Sequence, residues 1–529
     1  MVDLVVMMLA LIIIIVSSIV LQACKLIIWR PYAVTKSFRQ QGIVGPRYSL
    51  LTGSLDEIKK LREVALETVV DTNSNDIIAR VFPHYHKWFS EYGETFLYWN
   101  GMDARIYISD PELAKHVLSN KFGFYIKPQF TPSIRKLIGE GTTLANGVEW
   151  VRHRRIINPA FTMDKLKVML KEIAEISTSM FERWKTKATK TEDQSEKIEI
   201  DMHEEIKNLT ADVISHTAFG SSYMEGREAF KAQAELQDCL SASRTSIFIP
   251  GSQFLPTPMN IRISKLNNKV KNTVKSIVMK RLKGKEQDSS DSVGYGDDLL
   301  GMLIEASDLS QTKDDHKLDM DDIIEECKSI FLAGHETTAN LLTWTVYLLS
   351  VHREWQDKLR EEVLNECKMG VPDADVLTKL KLVHMVLLEA LRLYSPAVEL
   401  VRQGLENMKC GSIMIPKNTT VTIPVLMIHR DKKLWGEDAD EFNPLRFMNG
   451  ITNAAKHPNA FLAFGLGPRT CVGQTLALLE AKTVMAMMLR KYAFSLSAEY
   501  KHTPVDNISL QPQHGLPVIL KPLALKHNN

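Results

Sequence analysis

The spacing of apolar residues outlines this chain. From Leu4 to Cys24 no side chain is charged, and the run is as long as an α-helix needs to cross a bilayer. Asp3 precedes it, and Lys25, Arg30, Lys36 and Arg39 follow. A cleaved leader has a shorter apolar core, a basic start and a small-residue cleavage site, so this run reads as a retained anchor. The basic residues behind it put the body in the cytosol. Residues 38–54, with their glycines and Pro46, read as a linker. From about residue 75 to 280 the period is helical, as in "LKVMLKEIAEISTSMFERW". The polar stretches Thr186–Lys197 and Gly284–Asp298 read as loops. Long helices are predicted over about 319–350 and 374–394, and strands in the β-branched runs Thr419–Ile428 and Leu516–Leu523. No repeat is evident. The expectation is a mainly α fold with minor β, divided into an anchor (1–28), a linker (29–60) and one body (61–529).

Composition narrows the class. The 529 residues include 65 basic and 63 acidic ones, a net charge of +2. Basic runs interleaved with aromatics are absent, which sets nucleic acid aside. The cysteines Cys24, Cys239, Cys327, Cys367, Cys410 and Cys471 show no C-x-x-C spacing, so neither a disulfide framework nor a structural zinc site is expected.

Three helical stretches carry unusual residues. In the helix that starts near Asp319, a plausible N-cap, the apolar stripe runs Ile323, Cys327, Ile330, Phe331, Gly334, Thr337, Thr338, Leu341. A glycine inside a helix costs about 1 kcal/mol against alanine, and threonines there can bond back to helix carbonyls. Either something lies against the weakened face or a neighbouring helix packs closely on Gly334. Glu389 and Arg392 share a helix face with Met385, Val386 and Leu393, so their pairing reads as buried and needs compensation; Arg446 in "EFNPLRF" is placed to complete it. In "EWVRHRR", Trp150 and Arg154 stand at i and i+4. They suit a flat anionic ligand, or equally a basic surface with one core tryptophan.

The stretch "AFGLGPRTCVG", Ala463–Gly473, sets a lone cysteine among glycines just ahead of an apolar helical run. Glycines let the backbone approach a flat ligand. Arg469 can meet a carboxylate, and a helix N-terminus favours a thiolate. These are the needs of a haem iron and its propionates, and thiolate ligation of haem is an established class.

Phe464-x-x-Gly467-x-Arg469-x-Cys471-x-Gly473 resembles the haem-binding loop of the cytochrome P450 family. Three further signatures stand in that family's order. Ala333 to Thr338 is similar to its oxygen-binding segment, Glu389-x-x-Arg392 with Arg446 to its structural lock, and Trp150-x-x-x-Arg154 to its propionate-binding helix. The resemblance spans essentially the whole chain; the family's proline-rich hinge run is here only Gly45-Pro46. More narrowly, "AFGLGPRTCVGQTLALLEAK" and "LQPQHGLPVIL" resemble the plant 72 clan, and "GSSYMEGREAF", "FIPGSQFLPTPMN" and "EYKHTPVD" resemble most of all its 709 family.

The resemblance implies haem b as cofactor, with Cys471 as axial iron ligand. It implies that Thr337 with Glu336 delivers protons to bound dioxygen, that Gly334 makes room for it, and that Phe464 shields the thiolate. Trp150, Arg154, Arg402 and Arg469 are implied to hold propionates, with Gly473 closing the loop, while Glu389, Arg392 and Arg446 support the fold. The implied activity is hydroxylation of a hydrophobic small molecule, of isoprenoid, triterpenoid or fatty-acid type. NADPH–cytochrome P450 reductase would supply electrons, so NADPH and flavins act only indirectly, with cytochrome b5 as a further partner. The implied setting is a single-pass protein of the endoplasmic reticulum membrane. The substrate pocket is expected at Phe124, Phe331, Leu332, Val398, Glu399, Val401 and His514. Competing readings are an isomerase or dehydratase of the same fold, a haem carrier or sensor, and a cysteine hydrolase using Cys471 with His514 or His457. The Glu336-Thr337 pair favours the monooxygenase over the first two; no marked base supports the last.

Overall fold

The computed structural model describes residues 2–120, 123–187, 189–190, 196–220, 223–243, 251–287, 295–296, 298–307, 318–367 and 370–523. Helix α1 (Val2–Cys24) passes through a π-helical turn, Lys25–Trp29, into α2 (Arg30–Arg39). The span Leu4–Arg39 is long and apolar enough to cross a membrane, with mean hydropathy 3.2 in its most apolar window and none of that window buried. The π turn has a local cause. Pro31 has no N–H to give the carbonyl of Ile27, and the Tyr48 hydroxyl donates to that carbonyl instead at 3.0 Å. The expected linker thus begins as a helix. Val34 and Phe38 of α2 are buried against a sheet, and Arg30 donates to the carbonyls of Met102 and Asn418.

Among the helices predicted from residue 75 onward lies a hairpin that the periodicity concealed. Helix α3 (Pro83–Tyr92) is followed by β1 (Thr95–Asn100) and β2 (Asp103–Ile108), two strands of a five-stranded sheet. The others are β3 (Tyr125–Ile126), β6 (Leu400–Gly404) and β7 (Thr420–Ile423), in the order β1-β2-β7-β6-β3. Both faces are covered. Phe96, Tyr98 and Tyr107 enter the main core, while Leu97, Trp99, Ile106, Val421 and Ile423 enter a second one. A strand buried on both faces loses its polar alternation and reads as a plain apolar run.

Helix α4 (Gly147–Ile157) carries the Trp150 motif. A second sheet contains β4 (Thr189–Lys190), β5 (Glu196–Asp201), β8 (Tyr492–Leu496) and β11 (Pro517–Pro522). The first two stand in the stretch expected as the loop Thr186–Lys197, part of which lies outside the described residues. The other expected loop, Gly284–Asp298, opens as the end of a helix that runs to Gln287; residues 288–294 and 297 lie outside the described residues. A hairpin of β9 (Pro504–Asn507) and β10 (Ser509–Pro512) turns at Ile508, whose φ is 71°. The predicted helix over 374–394 is two, Ala374–Lys379 and α8 (Lys381–Leu393), broken at Leu380. The strand predicted to run to Ile428 stops at Ile423, because Pro424 cannot donate to the ladder.

The central helix α7 (Met320–Val351) starts at an Asp319 capping box and runs through the middle of the body. Helix α5 (Met202–Phe219) lies beside it, and α6 (Tyr223–Ser243) reaches it through Gln237, which donates to Glu336. A Cβ on Gly334 would sit 2.7 Å from Cδ1 of Ile214 on α5. Of the two causes the sequence left open for this glycine, close helix packing accounts for the direction its side chain would take.

The second cluster of charge is buried in full. Arg392 donates from Nε and Nη2 to the two oxygens of Glu389, at 2.7 and 2.8 Å. It also reaches the carbonyls of His429 and Ala439, and its guanidinium lies 5.1 Å over Trp435. Arg446 stands 3.5 Å from Glu389 and donates to the Trp435 carbonyl. Both side chains of the Glu389–Arg392 pair are fully buried. Removing either partner would strand a buried charge, at about 3–5 kcal/mol.

Gly334→Ala is expected to destabilise the holoprotein by up to about 2 kcal/mol, overpacking outweighing the gain in helix propensity. Ile214→Val in the same chain removes the obstructing methyl, so the double variant should be more stable than the sum of the single effects. Thermal unfolding of the four proteins measures this; strict additivity would place the constraint elsewhere.

Candidate active site

The cysteine loop is shaped by its backbone. Gly465 and Gly467 take left-handed φ values of 73° and 76°, which only glycine adopts without strain. A Cβ on Gly467 would lie 2.4 Å from the carbonyl oxygen of Leu118. The Cys471 N–H donates to the Phe464 carbonyl at 2.9 Å, closing the loop, and α9 (Gln474–Lys491) begins directly behind it. Phe464 is half-buried against the main core.

Cys471 is solvent-accessible, yet burial raises its thiol pKa, against the Gly473 N–H and the Arg154 charge, which favour the thiolate. Both statements hold because the thiol opens into an internal void. Ala333 and Thr337, one turn apart on α7, are likewise exposed between buried neighbours. Val472 packs against the cluster that contains Ile330 of α7 and Ile157 of α4. The thiol and the exposed stripe of α7 therefore sit on elements that pack together.

Cations converge on the same region. Arg469 donates to the Ala145 carbonyl at 2.7 Å and to Asn146 Oδ1 at 3.1 Å, and stacks 4.7 Å over the Trp150 ring. Arg154 donates to the Thr470 carbonyl at 3.0 Å. Arg402 is buried, and burial lowers its pKa to about 10. Arg469 is also lowered to about 10, by burial and by the nearby charges of Arg402 and Arg154. Lys127 joins them: burial, Arg402 and Arg469 press its pKa down to about 7. Its backbone is clamped by Asn146, which accepts from the Lys127 N–H and donates to its carbonyl. Among the described residues no carboxylate pairs with these four cations. An accessible thiol beside cations that meet no carboxylate among the described residues fits a haem with two propionates.

Of Gly334, Glu336 and Thr337, Thr337 is the exposed one and faces the void; its Oγ1 donates to the Ala333 carbonyl at 2.6 Å. Glu336 does not, because adjacent helix residues point about 100° apart. It is buried and accepts from Ser509 at 2.9 Å and Gln237 at 3.2 Å, with Lys207 at 3.3 Å. Burial would raise its pKa, but Lys207, His335 and these hydrogen bonds hold it down at about 2.

The expected substrate residues separate. Val401 pairs with Thr422, and the Glu399 carboxylate accepts from Tyr85, which bonds Tyr98 and through it Thr422. Glu399 and Val401 thus occupy the sheet face opposite Arg402, as the two-residue period of a strand requires. Phe331 stacks on His335 at 4.7 Å and lines an enclosed cavity of about 30 Å³ with Val278 and Leu300. Leu332 is buried with Leu137 and Leu236. Val398 is buried in the main core, and Phe124 is exposed beside β3. His514 is exposed in the turn between β10 and β11, beside Asp201 and at the far end of the hairpin from Ile508. The hairpin tip that approaches α7 is instead Asn507–Ser509, tied to Gln237 and Glu336. Lys127, Asn146, Lys207, Gln237 and Ser509 carry no local sequence signal; folding alone assembles them.

The Cytochrome P450 family model matches residues 72–519. Cytochrome P450 709B1 of Arabidopsis thaliana is 50% identical over 507 residues, covering 95% of this chain and 96% of that relative. Cytochrome P450 709B3 of the same plant is 51% identical over 504 residues, with the same shares covered. Cytochrome P450 CYP72A616 of Paris polyphylla is 42% identical, covering 93% of this chain and 94% of its own. The solved structure of retinoic acid bound cyanobacterial CYP120A1 superposes with a TM-score of 0.71 at 22% identity, over 85% of this chain and 96% of that one, a likeness of fold. The chain therefore belongs to the cytochrome P450 family, whose fold binds haem b, and is a P450 monooxygenase.

Proposed function

We propose that this enzyme hydroxylates a hydrophobic small molecule of isoprenoid, triterpenoid or fatty-acid type, drawing electrons from NADPH through a membrane-bound flavoprotein reductase, with cytochrome b5 as a second donor. The α1 helix would hold it in the endoplasmic reticulum membrane, with the body in the cytosol. The observation that carries the reading is the accessible Cys471 thiol near a cluster of cations that, among the described residues, have no carboxylate partner.

Haem held by a thiolate supplies dioxygen activation: two electrons and two protons reduce O2 so that one oxygen atom enters a C–H bond and the other leaves as water. Cys471 would be the iron ligand; the Gly473 N–H and the Arg154 charge favour its anionic form against the burial that raises its pKa. Arg154, Arg402, Arg469 and Lys127 would take the propionates, with the Trp150 ring holding Arg469 in plane. Thr337 anchors its hydroxyl by donating to Ala333, which leaves the oxygen lone pairs free to accept a hydrogen bond from a group in the void and so orient the proton that group carries. Glu336, ionised and turned away, ties Ser509 and Gln237 to the central helix one residue from Thr337. This gives it a positioning task in place of the direct proton delivery implied by the family resemblance.

The decisive measurement is the reduced, carbon-monoxide-bound difference spectrum of the full chain in microsomes, followed by NADPH-dependent turnover of hydrophobic substrates with and without added reductase. A red-shifted Soret band that Cys471→Ser abolishes supports the ligand; a band that survives the substitution overturns it. Thr337→Ala is expected to retain the spectrum while diverting oxygen consumption from product to peroxide and water. A product-to-oxygen ratio equal to wild type would remove the proton role of Thr337.

Lys127 yields a signed prediction. At pH 8 a group with pKa about 7 is mostly neutral. Propionates favour its charged form, while the Cys471 thiol, its pKa raised by burial, gives up its proton on binding iron, so at pH 8 the wild-type apoprotein should release about one proton fewer on haem uptake than Lys127→Met does. That difference between the two proteins should vanish near pH 5.5, where Lys127 is already charged. Haem titration in weakly buffered solution with a pH indicator measures it.

A further inference from the structure

The segment between anchor and body holds a feature that the catalytic reading does not use. Residues 4–55 include Lys25, Arg30, Lys36, Arg39 and Arg47 but no aspartate or glutamate. Arg30 is engaged by the backbone carbonyls of Met102 and Asn418. Lys36, Arg39 and Arg47 are exposed, and among the described residues none meets a carboxylate. All three line one groove of about 700 Å³ between α2 and residues 43–50, and its lining includes no acid. The same groove has apolar walls, with Ile28, Val44 and Leu50 all exposed in it.

The groove is built rather than incidental. Val34 and Phe38 fix one wall by burial in the second core. The Tyr48 hydroxyl ties the other wall to the Ile27 carbonyl in the π turn, and the Tyr48 ring meets Trp99 edge-on at 5.1 Å. Lys36 lies 6.0 Å over the Tyr32 ring. One end of the groove opens where the apolar span of α1 ends. Three cations above apolar walls, at the point where a membrane helix leaves the bilayer, match a ligand with an anionic head and hydrocarbon tails. A free phosphate would leave the apolar walls without a role.

We infer that this groove binds the headgroup of an anionic phospholipid of the leaflet from which α1 emerges, with acyl chain carbon along Ile28, Val44 and Leu50. The site orients the body on the membrane beside the short Gly45-Pro46 connection. This inference rests on the anchor reading. A basic residue at an anionic membrane surface strengthens association by roughly fivefold.

The test uses the full-length holoenzyme in nanodiscs of phosphatidylcholine alone or with added phosphatidylserine, and reads amide hydrogen exchange over residues 30–50. Phosphatidylserine should slow exchange there severalfold in the wild type. The variant Lys36→Gln/Arg39→Gln/Arg47→Gln should lose that response while keeping its haem spectrum and its place in the disc. Equal exchange in both lipids, a variant that keeps the response, or an equal response to inorganic phosphate in phosphatidylcholine discs overturns the site and leaves the anchor intact. A wild-type chain that does not enter discs at all overturns the anchor and the site together.

Discussion

Four basic side chains gather near the thiol loop with no carboxylate paired to them among the described residues, and much of the molecule follows from that imbalance. Lys127, Arg154, Arg402 and Arg469 come from separated parts of the chain. Charge of one sign, removed from water, is costly unless something compensates it. Backbone carbonyls at Ala145, Thr470 and Val401 and the face of Trp150 offset part of that cost. The remainder is left to an anionic ligand. The apoprotein is in this sense electrostatically incomplete, and haem contributes to its stability as well as to its chemistry. The contrasting case is Arg392, whose charge is fully compensated within the protein by Glu389 and by carbonyls.

The central helix joins these regions by presenting different residues in different directions. Thr337 looks into the void, Glu336 looks toward α5, α6 and the hairpin, and Gly334 admits Ile214. An acid and an alcohol adjacent in sequence thus serve different spaces. The Glu336 carboxylate collects Lys207, Gln237 and Ser509. Any shift of α6 or of the hairpin tip is therefore felt one residue away from Thr337.

Motifs whose partners lie within a few residues were legible in the chain. Glu389 with Arg392, Trp150 with Arg154, the glycines around Cys471 and the Asp319 cap all depend on spacing along one element. The hairpin β1–β2 was not, because both of its faces are buried and its alternation is lost. Glu399 was assigned to the pocket by proximity in sequence, and a two-residue period sent it to the other side of the sheet. His514 was likewise placed by neighbourhood, whereas the hairpin delivers Ile508 and Ser509 to the central helix.

The sequence alone determined the apolar N-terminal helix, the mainly helical body, the thiol loop and the buried ion pair, because each is written in a local period or a local conformational need. Tertiary structure alone decided which cations surround the thiol, which way Glu336 points and which strand face meets the void. Those outcomes depend on segments far apart in the chain, and the direction of a side chain at a contact is set by the packing of its whole element.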